Sequence, residues 1–169
     1  MGQRVSFRNQ SILYYIAVMS ITLDQYTKHL VRGSIEYGEI VIVHPVLRDI
    51  FDLTYTTNTG AAFGMFQSGG RVFAAVASVV VMAIMYFNLT LFGEQIWLRT
   101  ALGLQMGGAV GNLIDRIRFG MVTDFLHLHY WPIFNVADSC ITVGVVMLAV
   151  FMLREMRSER SGSSAQERV

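Results

Sequence analysis

"GGAVGNLIDR", residues 107–116, decides how the chain folds. An apolar run that begins near Ile96 stops there on an amide, a carboxylate and a guanidinium: Asn112, Asp115 and Arg116. "FNVADS", residues 134–139, then opens the next apolar run with Asn135 and Asp138. An ionisable side chain at membrane depth is costly and marks function by default. Two at matched ends of consecutive greasy runs predict adjacent antiparallel membrane helices that gather chemistry at one face.

Further runs extend the pattern on either side. A helical span needs about 20 mostly apolar residues. Four candidates are present, at about 12–30, 72–92, 96–114 and 138–153. The last reaches only about 24 Å at 1.5 Å per residue, so its first residues, Asp138 included, are expected at the membrane surface. Composition agrees, with 53 % apolar and 15 % charged residues and a positive mean hydropathy. That excludes an ordinary soluble domain, and a net charge of +1 gives no sign of nucleic-acid binding. The chain has 169 residues, which predicts one domain over 1–157. The polar, Ser-rich tail 158–169 is expected to be disordered and cytoplasmic.

The first run follows Arg4 and Arg8 but lacks a small-x-small cleavage site, which reads as a retained span rather than a signal peptide. Arg154, Arg157, Arg160 and Arg168 follow the last run. Basic flanks at both ends of a four-span chain predict both termini in the cytoplasm. The two longer connections, 33–71 and 116–137, then lie outside. "EIVIVHPVL", "IFDLTYTT" and "FLHLHY" within them are rich in β-branched residues or alternate with period two, so a small outer sheet is expected on the bundle. Gly103, Gly107 and Gly111 recur every four residues in the third run, a stripe that lets membrane helices approach closely.

Asp115 and Asp138 are the candidate chemistry. Two neighbouring carboxyls cannot easily both ionise, so one keeps a proton. The ionised member can activate water while the protonated one donates to a carbonyl oxygen. Taken singly, each has a plainer role: Asp138 as a helix cap, Asp115 as a partner for Arg116 or Arg118. Asp24 and Lys28 form an i, i+4 pair near the outer end of the first run, with a structural and a site role equally open. His127 and His129 would share a strand face, but only Asp124 stands nearby, so no metal site is expected. Cys140, the one cysteine, lies among apolar residues and reads as packing. A small oligomeric transporter or proton channel is the competing reading of the buried carboxylates.

"TTNTGAAF", "GGAVGNLIDR", "VTDF" and "FNVADS", in this order on a chain of this size, resemble the lipoprotein signal peptidases, the bacterial type II signal peptidases. The resemblance runs from "LDQYTK" to the end of the fourth run. It implies an inner-membrane aspartic protease that removes the signal peptide of a diacylglyceryl-modified prolipoprotein, just before the lipid-bearing cysteine and on the outer side. It implies four spans, an outer sheet (the β-cradle), and a mobile outer loop or short helix over the site. No cofactor is implied; the partners would be prolipoproteins, membrane lipids and globomycin-type inhibitors. Carried over residue by residue, the dyad would be Asp115 and Asp138, with Asp24, Lys28, Asn58, Gly60, Asn112, Arg116, Asp124, Asn135 and Ala137 lining or bracing the site.

Overall fold

Why one helix sits at the centre follows from its small residues. In the computed structural model, which describes residues 7–59, 70–90 and 95–166, helix α3 (Ile96–Phe119) is buried on several sides through Leu98, Ala101, Leu102, Met106, Gly107, Gly108 and Asn112. Around it stand α1 (Phe7–Ser34), α2 (Gly70–Thr90) and α4 (Val136–Gln166). The glycine stripe faces α1: a Cβ on Gly111 would lie 2.5 Å from Asp24 Oδ2. Gly108 faces α4, where a Cβ would collide with the carbonyl oxygen of Ala137. Only glycine allows both neighbours to come this close. Leu13 and Ala17 of α1 pack with Leu98, Leu102 and Met106 of α3 and Ile84 of α2 as the apolar core.

Among the described residues, two helical segments, Gly70–Thr90 and Val136–Arg157, are long and apolar enough to cross a membrane. The other two expected spans fall short on that measure because α1 carries Asp24, Gln25 and Lys28 and α3 carries Arg99, Gln105, Asn112 and Asp115. Those charges do not face outward. Asp24, Lys28, Arg99 and Asp115 are fully buried, while Tyr15, Val18, Met19, Leu23 and Tyr26 of α1 are exposed. This is an inside-out surface, polar within and apolar without.

The expected sheet is present as three antiparallel strands in the order β1 (Ile40–Val41), β2 (Phe51–Asn58), β3 (Val122–Leu128). β1 is only two residues long. Pro45 cannot donate to a ladder, and it starts a 3-10 turn at Pro45–Leu47 instead. A bulge lies between Leu53 and Thr56, and beyond it Thr56 pairs with Asp124.

Helix ends differ from the expected spans. Asp115 does not end the third helix. Arg116, Ile117 and Arg118 continue it until Gly120, whose φ of 74° turns the chain left-handed while its N–H donates to the Arg116 carbonyl. α4 runs to Gln166, so the tail expected to be disordered from 158 is helical that far. Its Leu153–Arg157 stretch is made of good helix formers, and extending an existing helix costs far less than starting one. The expected outer loop, Gly60 included, lies outside the described residues apart from its flanks.

Candidate active site

Chain reversal at Gly120 sends β3 back toward the bundle, and the residues of "VTDF" arrive beside the start of α4. Asn135 caps that helix. Its Oδ1 accepts the Asp138 N–H at 3.0 Å, and Asp138 Oδ2 accepts the Asn135 N–H at 3.3 Å. This is the reciprocal capping box, which satisfies two orphan donors at a helix start. Asp24 of α1 satisfies another, accepting the Ala137 N–H at 2.9 Å. Asp138 is therefore in the first turn of α4, oriented by the cap rather than acting as the cap itself.

The same asparagine reaches a second carboxylate. Asn135 Nδ2 donates to Asp124 Oδ1 at 2.7 Å and to Asn112 Oδ1 at 3.1 Å. Asn112 Nδ2 in turn donates to Asp138 Oδ1 at 2.8 Å. Asp124 and Asp138 are thus held by one amide network, and both line an open cavity of about 930 Å³. Around them the wall is Asn58, Phe73, Val76, Asn112, Arg116 and Ile141, with Tyr130 and Trp131 among residues of the β3–α4 connection. Apolar side chains make up the α2 side, with Ile141 of α4 beside Asp138, as suits a greasy ligand. Burial, and next the negative charge of Asp138, push the Asp124 carboxyl up to about 7, against hydrogen bonds from Asn135 and Asn58 that act the other way. Arg116 also feels all three carboxylates, Asp138, Asp124 and Asp115, and its guanidinium lies 5.6 Å from the Phe73 ring.

Asp115 occupies a different place. It is fully buried and does not line the cavity. Its Oδ2 accepts the Thr123 N–H at 2.9 Å, and its Oδ1 accepts from Gln25 Nε2 at 3.2 Å. Lys28 Nζ and Arg32 Nη1 each lie 3.6 Å from it. Lys28 is itself fully buried, 2.9 Å from Asp24 Oδ2 and 2.9 Å from Asn112 Oδ1. Asp115 thereby ties α3 to α1 and to β3. Each oxygen has a partner, the condition under which a buried charge is tolerated.

Most of the residues singled out in the sequence therefore converge. Asp24, Lys28, Asn112, Asp124, Asn135, Ala137 and Asp138 form one connected cluster, and Asn58 and Arg116 face the cavity. Three contributors were not singled out. Arg32 lies four residues after Lys28 and eight after Asp24, so helical spacing carried its signal; it donates to Thr123 Oγ1 at 2.8 Å. Gln25 also donates to the Gly111 carbonyl at 3.0 Å, and Thr123 contributes through its backbone N–H and its hydroxyl; neither has a charge to betray it. His127 and His129 stand apart from this cluster, beside Asp52 rather than the expected Asp124.

Residues 16–154 match the family model described as signal peptidase (SPase) II. The chain belongs to the signal peptidase II family. Among its relatives, the lipoprotein signal peptidase of Brevibacillus brevis is 45 % identical over 82 % of this chain and 94 % of its own length. That of Symbiobacterium thermophilum is 44 % identical over 88 % of this chain and 97 % of its own. A solved bacterial membrane enzyme shares the fold with a TM-score of 0.81, covering 92 % of this chain and 94 % of that one at 28 % identity. A second gives a TM-score of 0.77 at 29 % identity, over 90 % and 97 % of the two chains. Family membership makes the chain a membrane-associated peptidase, and the geometry above bears on how its residues are used.

Proposed function

We propose that the chain is an intramembrane aspartic endopeptidase that removes the signal peptide from diacylglyceryl-modified prolipoproteins, cutting just before the lipid-bearing cysteine. Asp124 and Asp138 are its catalytic pair. One observation carries this assignment: of the carboxylates in the cluster, these two face the cavity and both accept from Asn135, Asp124 from its side-chain amide and Asp138 from its backbone N–H. Asp115, the member that the motif ordering favoured, becomes a positioning residue. It has no open side from which to meet a substrate, and it holds the Thr123 amide next to Asp124.

Two nearby carboxyls share one proton, and they titrate as a pair. Asp124, pushed up to about 7, carries the proton below that pH. Ionised Asp138 takes a proton from a water molecule as its oxygen attacks the scissile carbonyl. Asp124 donates its proton to the carbonyl oxygen, giving a neutral gem-diol intermediate. Asp138 then returns the proton to the leaving nitrogen as the C–N bond breaks, and Asp124 regains its own from the collapsing diol. No cofactor enters this cycle. Arg116, attracted to all three carboxylates, limits the negative charge that the cavity accumulates.

In this reading α1 and α3 also span the bilayer, with their buried polar side chains turned inward and apolar ones toward lipid. The sheet and cavity then stand at the outer face of the bacterial inner membrane, and the basic flanks around Arg4 and Arg154 lie in the cytoplasm. The apolar α2 wall suits both the signal peptide's apolar segment and the acyl chains, whose burial is worth about 0.8 kcal/mol per methylene. A globomycin-type cyclic peptide would act by filling the same cavity. The test is cleavage of a diacylglyceryl-modified prolipoprotein by wild type, Asp124→Asn, Asp138→Asn and Asp115→Asn, each checked for folding. Wild-type cleavage by folded Asp124→Asn would overturn the pair.

A further inference from the structure

The outer sheet carries a second polar cluster that the peptidase chemistry does not use. β2 and β3 are paired so that Asp52 stands opposite His127. His129 is the first residue past the end of β3, where its N–H donates to the Ile50 carbonyl at 3.2 Å and its ring comes back beside that of His127. Their rings stack with centroids 5.0 Å apart and planes 25° from parallel. Both aim a nitrogen at the same carboxylate. His127 Nδ1 lies 2.8 Å from Asp52 Oδ1 and His129 Nε2 lies 2.8 Å from Asp52 Oδ2. The three ligand atoms that these residues offer fall within 4.8 Å of one another. Asp52 is buried, and the two rings are partly open to solvent.

We propose that Asp52, His127 and His129 bind a divalent first-row cation of the zinc class, clamping β2 to β3. Two imidazoles and one carboxylate are a donor set for Zn²⁺, Cu²⁺ or Ni²⁺. They are a poor one for Ca²⁺ or Mg²⁺, which require oxygen ligands. Around a tetrahedral zinc, donors at about 2.0–2.1 Å sit roughly 3.3 Å from each other, so the 2.8 Å nitrogen–oxygen separations need open only slightly. On binding, the proton on each ligating nitrogen is released to solvent while the other ring nitrogen holds or takes up a proton, so each imidazole ligates as the neutral form through the freed lone pair. Solvent takes the remaining coordination position, on the side where the rings are open. The sheet supplies the preorganisation: Asp52 and His127 stand opposite each other on paired strands, and His129 follows directly after β3, held by its N–H bond to the Ile50 carbonyl.

The experiment uses the full chain in detergent micelles, stripped with chelator and titrated with zinc against a chromophoric chelator. One zinc per chain is expected. Affinity should fall at least tenfold in His129→Ala and in Asp52→Asn, and should be unchanged in His29→Ala and His44→Ala. Circular dichroism melts confirm that the variants fold; His129 is exposed, so its removal leaves a folded control even if Asp52→Asn does not. Zinc should raise the melting temperature of wild type and not of His129→Ala, and Cu²⁺ bound in its place should show two nitrogen donors by electron paramagnetic resonance. The proposal is overturned if wild type binds no zinc, or if His127→Ala and His129→Ala bind it as tightly as wild type. None of these readouts depends on peptidase activity, so the proposal fails or stands independently of the catalytic assignment.

Discussion

Behind the cavity wall, Asp115 is enclosed by donors and cations: Gln25, Lys28, Arg32 and the Thr123 amide. At the wall's open side, Asp124 and Asp138 take their hydrogen bonds from the neutral amides of Asn58, Asn112 and Asn135, with the Arg116 charge in the same wall and apolar surface opposite. The same side chain is given two jobs by its surroundings. A carboxylate enclosed by opposite charge is spent on cohesion. One hydrogen-bonded by neutral amides at a cavity wall is, on the proposed assignment, the one that moves a proton.

The contrast is easiest to break at the open side. Asp124→Asn and Asp138→Asn should each lower the cleavage rate by about 10²–10⁴-fold or more, the range for losing a general acid or base, with the folded fraction intact by circular dichroism. A second substitution works behind the wall. Lys28→Met leaves Asp24 and Asp115 buried without their shared cation, and should cost about 3–5 kcal/mol of stability. It should act on cleavage mainly through the loss of folded protein, which a denaturant titration in micelles measures. Next comes Gly108→Ala, which pushes α4 away from α3 at Ala137. Overpacking of this kind costs about 1–3 kcal/mol, and it should raise KM or lower kcat by displacing Asp138 even in the protein that stays folded.

A last test sharpens the comparison through pH. Asp124 in the folded chain is raised from 3.8 to about 7. Between those values the native state keeps a proton that the unfolded chain has released, so stability declines as pH rises through the window and levels off above about 7. Asp124→Asn should flatten that decline in a series of melts from pH 4 to 8. In the wild type, cleavage should fall as pH rises past about 7, because the proton that Asp124 donates is then gone.

How much of this was legible in the sequence depended on the kind of signal. The ordered motifs carried the family, and apolar runs gave four long helices to within a few turns. β-branched residues at 50–57 gave β2. What the linear chain could not show was direction. Asp115 lies three residues after Asn112 and four after Gly111, so it shares the stripe that packs on α1, yet its spacing from "FNVADS" made it look like the natural partner of Asp138. Asp124 gained its place through a left-handed turn at Gly120 and a strand that runs back along the bundle. Asp52 met His127 through strand register across a long sequence separation, which no local pattern records.

Asn135 has one further consequence. The residue that starts α4 is also the residue that joins the two cavity carboxylates. Until that helix has begun in the right place against β3, the pair cannot form. Placement of the helix start and pairing of the two carboxylates are therefore one event in the architecture, fixed by a single asparagine.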